Sequence, residues 1–386
     1  MKILVLNYEY PPLGGGAGVI TKHIAEELAA LGHEITVVTT WFKGLKQVED
    51  NGGLKIFRLK SKRKFTYRSG VFEMRSWMRH SKSFLTQYCI DNSFDLCFAN
   101  FALPGGEVAL YLKKRFDIPY TIISHGHDIP WFFGKEMFWY HFATYFWIKT
   151  ICKNSFINFM LSQDMKDNID RFLGEKNEGK NVIISNGCDT GIFKPDHSKK
   201  STLFKIIFVG RLVNQKDPFT FLKALKLLSD HNIPFVANII GDGVLRKEME
   251  KYVAENSLHD KINFMGWLAK DKILKEYQSS HVFVQSSLYE AMSVAIMEAL
   301  ACGNYAISTH SGLSPTLITP GENGELFSTN NPDDLAEKLT SYYDFKFKEN
   351  FKIKDSLIEK IHLEYNWKKI ALKYEQLFRA CAETQF

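Results

Sequence analysis

Short, near-continuous apolar runs recur along this chain, each followed by a loop and then by apolar residues at helical spacing. Residues 2–7 form the first run, and 35–40, 95–99, 120–124, 156–161 and 182–185 follow. Between the first two, Ile20, Ile24, Leu28 and Leu31 stand three or four apart, which predicts a helix over 18–31 stopped by Gly32. A strand that is apolar at nearly every position has both faces buried. Such strands separated by helices predict a parallel sheet covered on both sides.

The pattern then restarts. Asn186, Gly187, Cys188 and Asp189 are turn residues, and 194–200 is polar and linker-like. A second strand series follows at 205–209, 235–240, 262–264, 282–285, 305–308 and 325–327. Helices are expected at 218–230, 244–255, 270–279, 291–301 and 332–342, with a terminal helix near 367–380. The expectation is an α/β chain of two doubly wound domains joined near residue 190. The length of 386 residues suits two domains of roughly 100–200 each.

Composition excludes other classes. With 45% hydrophobic and 24% charged residues, the chain is not disordered. No apolar run reaches 18 residues, so a spanning helix is not expected, and the first run is too short for a signal peptide. Six scattered cysteines without a C-x-x-C pair argue against a disulfide framework or structural zinc, and for reduced thiols in a cytosolic protein.

Open α/β sheets bind ligands beyond the carboxyl ends of their strands, so motifs directly after strands carry the chemistry. Gly14, Gly15, Gly16 and Gly18 follow the first strand. They suit close backbone approach to an anion at a helix N-terminus, or a mobile loop without a ligand. Their spacing matches neither the dinucleotide fingerprint nor the P-loop. Arg211 and Lys216 follow the first strand of the second series, where a guanidinium fork and an ammonium suit a diphosphate. The alternative for them is solvated surface charge. Glu290 and Glu298 stand eight apart in an apolar stretch. If Glu290 begins the helix, the two lie about 12 Å apart along its axis, able to hold different hydroxyls of one extended ligand. The amides of Met292, Ser293 and Val294 would then face the same ligand. His125, in Ser124-His125-Gly126-His127-Asp128, can donate to an oxygen of developing negative charge, or be a structural histidine capped by Asp128.

Taken in order, these residues resemble the retaining nucleotide-sugar glycosyltransferases of family 4, with the GT-B fold. The resemblance covers nearly the whole chain: the glycine loop, His125-Gly126-x-Asp128, Asn186-Gly187-Cys188-Asp189 with Phe193, Gly210-Arg211-x4-Lys216, Gly241-Asp242-Gly243, Glu290-x7-Glu298 and the terminal helix with Trp367 and Tyr374. It implies two Rossmann-like domains facing across a cleft. Residues 1–190 would receive the acceptor, 191–364 would hold the donor, and a helix within 365–386 would cross back to the first domain. It implies that Arg211 and Lys216 bind the donor diphosphate, Glu298 the ribose, and Glu290 the donor sugar beside the amides of Met292, Ser293 and Val294. His125 would meet the transferred sugar, Gly15 and Gly16 would close over phosphate or acceptor, and Trp267 would lie near the base. The donor would be a UDP- or GDP-sugar, used without a cofactor. The chain has no D-x-D sequence, consistent with basic side chains in place of a metal. Where the family often has Glu-Gly-Phe-Gly, this chain has Glu290-Ala291-Met292-Ser293. A sugar-nucleotide epimerase and an inactive binding scaffold share the fold. The Glu290–Glu298 pattern with Arg211 and Lys216 fits the epimerase less well, and an inactive scaffold need not keep a donor site.

The whole chain carries a net charge of +6, yet 55–82 alone carries ten Lys/Arg against Glu73, so the rest is net negative. Phe57, Phe65, Tyr67, Phe72 and Trp77 are interleaved there, and 131–147 is dense in Trp, Phe and Tyr. Basic and aromatic segments together suit an anionic membrane surface. The expectation is a cytoplasmic enzyme, peripheral on the inner face of the membrane, acting on a saccharide or lipid-linked acceptor. RNA fits the same composition but no RNA-binding module is recognisable. The remaining reading is a solvated basic helix plus an aromatic core helix.

Overall fold

The computed structural model describes residues 1–66, 69–132, 137–174 and 179–383. Tyr67, Arg68 and Phe133 of the basic and aromatic segments lie outside the described residues. The chain forms two compact units, one of Met1–Asn186 with Trp367–Phe386, the other of Gly187–Asn366. The division therefore falls at Asn186/Gly187 rather than at 190.

In the first unit the strands are β1 (Lys2–Leu6), β2 (Glu34–Thr40), β3 (Val48–Asp50), β4 (Leu54–Leu59), β5 (Leu96–Asn100), β6 (Tyr120–Ile123), β7 (Asn158–Met160) and β8 (Asn181–Ile183). They form one sheet in the order β3-β4-β2-β1-β5-β6-β7-β8. Every pairing is parallel except that of β3 with β4. The central strands are buried throughout, as their apolar runs require. β3 and β4 were not expected. β4 alternates buried Leu54, Ile56 and Arg58 with half-buried Lys55, Phe57 and Leu59, the Phe57 ring packing on Phe84 and Tyr88 at 5.0 and 5.1 Å. That period-2 pattern is the mark of an outer strand.

The terminal helix Trp367–Glu383 belongs to this unit. Tyr374 and Phe378 are fully buried, with Phe378 5.2 Å from Phe98 and Tyr374 4.8 Å from Phe159, ring centre to ring centre. Trp367 stacks on His23, and His33 bonds Glu375 at 3.1 Å.

In the second unit the strands are β9 (Lys205–Val209), β10 (Val236–Ile240), β11 (Ile262–Gly266), β12 (Val282–Gln285), β13 (Tyr305–Thr309) and β14 (Gly324–Phe327). All pair in parallel, in the order β11-β10-β9-β12-β13-β14. Renumbered within the unit this is 3-2-1-4-5-6, whose strand order reverses between β9 and β12. The crevice beyond the carboxyl ends of those two strands is where such a sheet takes a ligand. Asp217 caps the helix Pro218–Asp230 that follows β9, with Pro218 at its first position.

The segment 55–82 is not one solvated helix. It spans β4, a connection, and the start of the helix Val71–Asp91. Three of its cations are drawn inward. Arg58 pairs with Glu49 at 2.6 Å, Arg63 donates to the carbonyls of Tyr8, Phe65 and Thr66, and Lys82 pairs with Glu107. The helix Phe138–Asn154 is not a core helix either. It buries His141, Ile148, Ile151 and Cys152, but Trp139 and Phe146 are about 80% exposed.

Candidate functional site

Three loops of the second unit meet beyond the switch point. After β9, Gly210 donates its N–H to Ile240 at 2.9 Å and Leu212 to Asp242 at 2.9 Å. A Cβ on Gly241 would overlap the Gly210 carbonyl, and one on Gly243 would overlap that of Leu212. Those glycines are required because two backbones run against each other, which presses the Arg211 loop to the sheet edge. After β12, Leu288 donates to the Gln215 carbonyl at 2.9 Å and Ser286 Oγ to the Asp217 carbonyl at 2.8 Å. At the end of β13, Thr309 Oγ1 donates to the Ser287 carbonyl at 2.7 Å. Gly312, at φ +59°, leaves room for Glu290, whose carbonyl would lie 2.8 Å from a Cβ there.

On this platform Lys216 and Glu290 form a direct ion pair, their side chains only 14% and 11% exposed. Ser287 Oγ lies 3.4 Å from the same carboxylate. Arg211 is exposed, donates to Gln215 Oε1 at 3.3 Å, and meets no carboxylate among the described residues. The helix that follows begins at Val294, with Ser293 at its cap. Glu290 therefore stands in the loop before the helix, and the two glutamates do not share one helical face. Met292 and Ser293 are buried at the turn, where the first amides have no acceptor within the helix.

Glu298 lies one turn into that helix. Burial pushes its carboxyl up to about 8, opposed by the charge of Lys270 and the Tyr277 hydroxyl. Tyr277 Oη lies 3.3 Å from Glu298 Oε2, and Lys270 is itself paired with Asp189. Trp267 follows Gly266 at the end of β11 with its indole 73% exposed; the Gly266 carbonyl accepts from Gly241 at 2.8 Å.

The first unit offers different chemistry at its own switch point, between β1 and β5. Asn7, Thr21, Asn100 and His125 form a buried chain. Asn7 Nδ2 donates to Thr21 Oγ1 at 2.7 Å, Thr21 Oγ1 lies 2.7 Å from the Asn100 amide, and that amide lies 3.0 Å from His125 Nε2. Burial pushes the His125 imidazole down to about 3, so the ring is neutral. Its Nδ1 is buried and unpartnered among the described residues. Asp128 does not hold the ring. It accepts from Ala102 N–H, Ser124 Oγ and the His125 main-chain N–H, and so fixes the loop.

Gly15 caps the helix Gly16–Ala30 and donates its N–H to Glu9 Oε2 at 3.2 Å. A Cβ on Gly15 or Gly16 would meet nothing within 4 Å. The packing of the protein therefore does not demand glycine at either position, which leaves open space at the helix start.

The sequence pattern missed Gln215, Ser287, Thr309 and Gly312, which join the three loops, and Tyr277, which partners Glu298. Nothing in their spacing marks them; they are brought in by strand order.

The description "Glycosyl transferases group 1" matches residues 189–355, and "Glycosyltransferase Family 4" matches 14–191. An uncharacterized glycosyltransferase of Methanocaldococcus jannaschii is 26% identical over 88% of this chain and 87% of its own length. The Escherichia coli UDP-Gal:alpha-D-GlcNAc-diphosphoundecaprenol alpha-1,3-galactosyltransferase is 30% identical over 42% of this chain and 45% of its own. Anabaena HepE, solved in complex with UDP-glucose, superposes with a TM-score of 0.76 over 98% of this chain and 100% of its own, at 16% identity. Two consecutive family matches from 14 to 355, on a fold of two parallel-sheet Rossmann-like units, make the chain a GT-B glycosyltransferase of family 4, a hexosyltransferase-type enzyme.

Proposed function

We propose that the chain transfers a sugar, with retention of anomeric configuration, from a UDP- or GDP-sugar to a saccharide or lipid-linked acceptor in cell-surface glycan assembly. The observation that carries this is the meeting of Arg211, the Lys216–Glu290 pair and the helix start at Ser293–Val294 beyond β9 and β12. Arg211 and Lys216 take the diphosphate and stabilise it as it departs, in place of a metal. Lys216 exchanges Glu290 for phosphate as the donor arrives. Glu290 is then free to hold hydroxyls of the donor sugar beside the amides of Met292, Ser293 and Val294. Glu298 holds the ribose hydroxyls, and Trp267 lies where it can flank the base. HepE, solved with UDP-glucose, supports this class of donor.

We assign His125 to the transferred sugar. Thr21 has one proton, and the Ala17 carbonyl at 2.8 Å accepts it. Asn100 Oδ1 faces both Thr21 Oγ1 and His125 Nε2, while its Nδ2 has no partner among the described residues; turning the amide to present its NH2 would satisfy both, and the imidazole proton would then fall on Nδ1. A neutral Nδ1–H donor suits a sugar oxygen gaining negative charge. Gly15 and Gly16 sit beside the Glu9 carboxylate, which repels phosphate and favours the hydroxyls of an acceptor.

A lipid-linked acceptor is supported by the galactosyltransferase relative and by two exposed surfaces. Lys60, Lys62, Lys64, Arg75 and Arg79 are exposed with Phe65 and Phe72. Trp139, Phe142 and Phe146 line one face of their helix, with Lys149 and Lys153 next along it. We assign both to an anionic membrane surface on the cytoplasmic side, and no nucleic acid partner. No helix among the described residues is long and apolar enough to cross a membrane.

The test is a panel of nucleotide sugars. The donor raises the melting temperature by mass action, and NMR of the product shows the anomer of the donor. An inverted product overturns retention; transfer that is insensitive to loss of Arg211 and Lys216 overturns the site.

A further inference from the structure

A cavity lies in the second unit, at the opposite edge of its sheet from Arg211 and Glu290. It has a volume of about 420 Å³, within the range of small-molecule sites. Its walls come from residues that precede strands or begin them: Lys200 before β9, His281 before β12, and Tyr305 at the start of β13. Arg211 and Glu290 follow the same strands. A five-residue strand is about 16 Å long, so the two sites are separated by the thickness of the sheet edge to edge.

The lining is one-sided in charge. Lys200 and Lys352 contribute cations, and no Asp or Glu among the described residues lines it; the Glu325 carboxylate stands beside it, accepting from the Tyr305 hydroxyl at 3.2 Å. Lys346 flanks it, 3.8 Å above the Phe351 ring. Lys200 is the informative group. Its ammonium donates to the Ser280 carbonyl and meets no carboxylate among the described residues. Lys205 nearby has Glu276 at 2.9 Å, and Lys216 at the donor edge has Glu290. Burial without a counter-charge pushes Lys200 down to about 8, so it is still mostly cationic at neutral pH. An ammonium has three donors, and here one is used by the protein. His281 is neutral, its Nδ1 accepting the Lys205 N–H at 3.1 Å and burial pushing it down to about 4. The rings of Tyr342, Phe347 and Phe351 complete the lining, with Phe347 edge-on to His281 at 4.8 Å between ring centres. A half-buried cation lacking an internal counter-charge, beside a ring-lined wall, is suited to an anion carried on an organic ring.

We propose that this cavity binds a small phosphate monoester of a sugar-like ring, with the phosphate on Lys200 and Lys352 and the ring against the aromatic wall. The site is separate from the donor site and does not depend on what that site binds.

Calorimetric titration of the full chain with hexose 6-phosphate, inorganic phosphate and unphosphorylated hexose tests it. Saturable binding of the ester at one equivalent is expected, weakened about tenfold or more in Lys200→Met and in Lys352→Glu, and retained in Arg211→Ala. Lys352 is exposed on the rim, so its variant reads the site even where Lys200→Met fails to fold. Absence of saturable binding at millimolar ester overturns the proposal. So does binding lost in Arg211→Ala, which would put the ester at the donor edge. Equal affinity for unphosphorylated hexose overturns the phosphate role, and equal affinity for inorganic phosphate overturns the ring role.

Discussion

The carboxyl edges of the two sheets are built by the same strand logic and filled with opposite chemistry. Beyond β9 and β12 the residues are charged, and cross-linked through backbone carbonyls at Gln215, Asp217 and Ser287. Beyond β1 and β5 the buried network is neutral amides, a hydroxyl and an uncharged imidazole, with Glu9, faced by Arg63 at 3.9 Å, as the carboxylate beside it. The cations near the first edge are taken up within the protein, Arg63 by three carbonyls and that Glu9 carboxylate, and Arg58 by Glu49. A parallel sheet supplies the place; the charge on the loops decides which part of a substrate it suits. Charged loops match a leaving diphosphate, whereas a neutral network matches hydroxyls whose protons must be directed.

The largest way to break this comparison is to remove the charge from the second edge. Arg211→Ala combined with Lys216→Ala should lower kcat by about 10³-fold or more, while the melting temperature moves little. Lys216→Ala alone leaves the Glu290 carboxylate without its cation and should cost more stability than Arg211→Ala, because Arg211 is exposed. Steady-state kinetics beside thermal melts read both.

The first edge rests on the terminal helix behind its sheet. Phe378→Ala removes a fully buried ring packed on Phe98 and Phe159. It should destabilise the first unit by about 3–5 kcal/mol and leave nucleotide binding to the second unit intact. Denaturant melts with a nucleotide titration separate the two effects.

A smaller effect sharpens the neutral side. His125→Ala should lower kcat by about 10²-fold with nucleotide affinity unchanged. The ¹⁵N shifts of His125 should report a proton on Nδ1. A proton on Nε2 would mean that Asn100 presents its oxygen, and the ring would then accept from the sugar instead of donating to it.

The second edge could be read from the chain because its chemistry is local in sequence: Arg211 and Lys216 share one loop, and Glu290 sits three residues past the buried Ser287. Strand order could be anticipated only as far as parallel sheets go. The placement of β4 was hidden because Lys55 and Arg58 read as part of a basic run, although Arg58 is pulled inward by Glu49. The helix start at Val294 was hidden because Glu290, Ala291 and Met292 have ordinary helix-forming side chains. Gly312 packing on the Glu290 carbonyl holds that stretch out of the helix, and this contact spans 22 residues. The network of Asn7, Thr21, Asn100 and His125 is spread over more than a hundred residues, so no motif could contain it.

The finest test separates the two glutamates of the charged edge. Glu290 has a cation; Glu298 has a phenol and a half-buried position. With its carboxyl raised to about 8, the folded state prefers Glu298 protonated, whereas the unfolded chain releases that proton in the ordinary carboxylate range. The stability from this group is therefore fully present below the unfolded value and is lost as pH rises toward 8, above which the loss levels off. Glu298→Gln keeps the shape and removes the titration. The wild type should lose about 1 kcal/mol relative to Glu298→Gln between roughly pH 6.5 and 7.5. Parallel melting curves for wild type and Glu298→Gln would mean that Glu298 is already ionised in the fold, held by Lys270, and the contrast between the paired and the protonated glutamate would disappear.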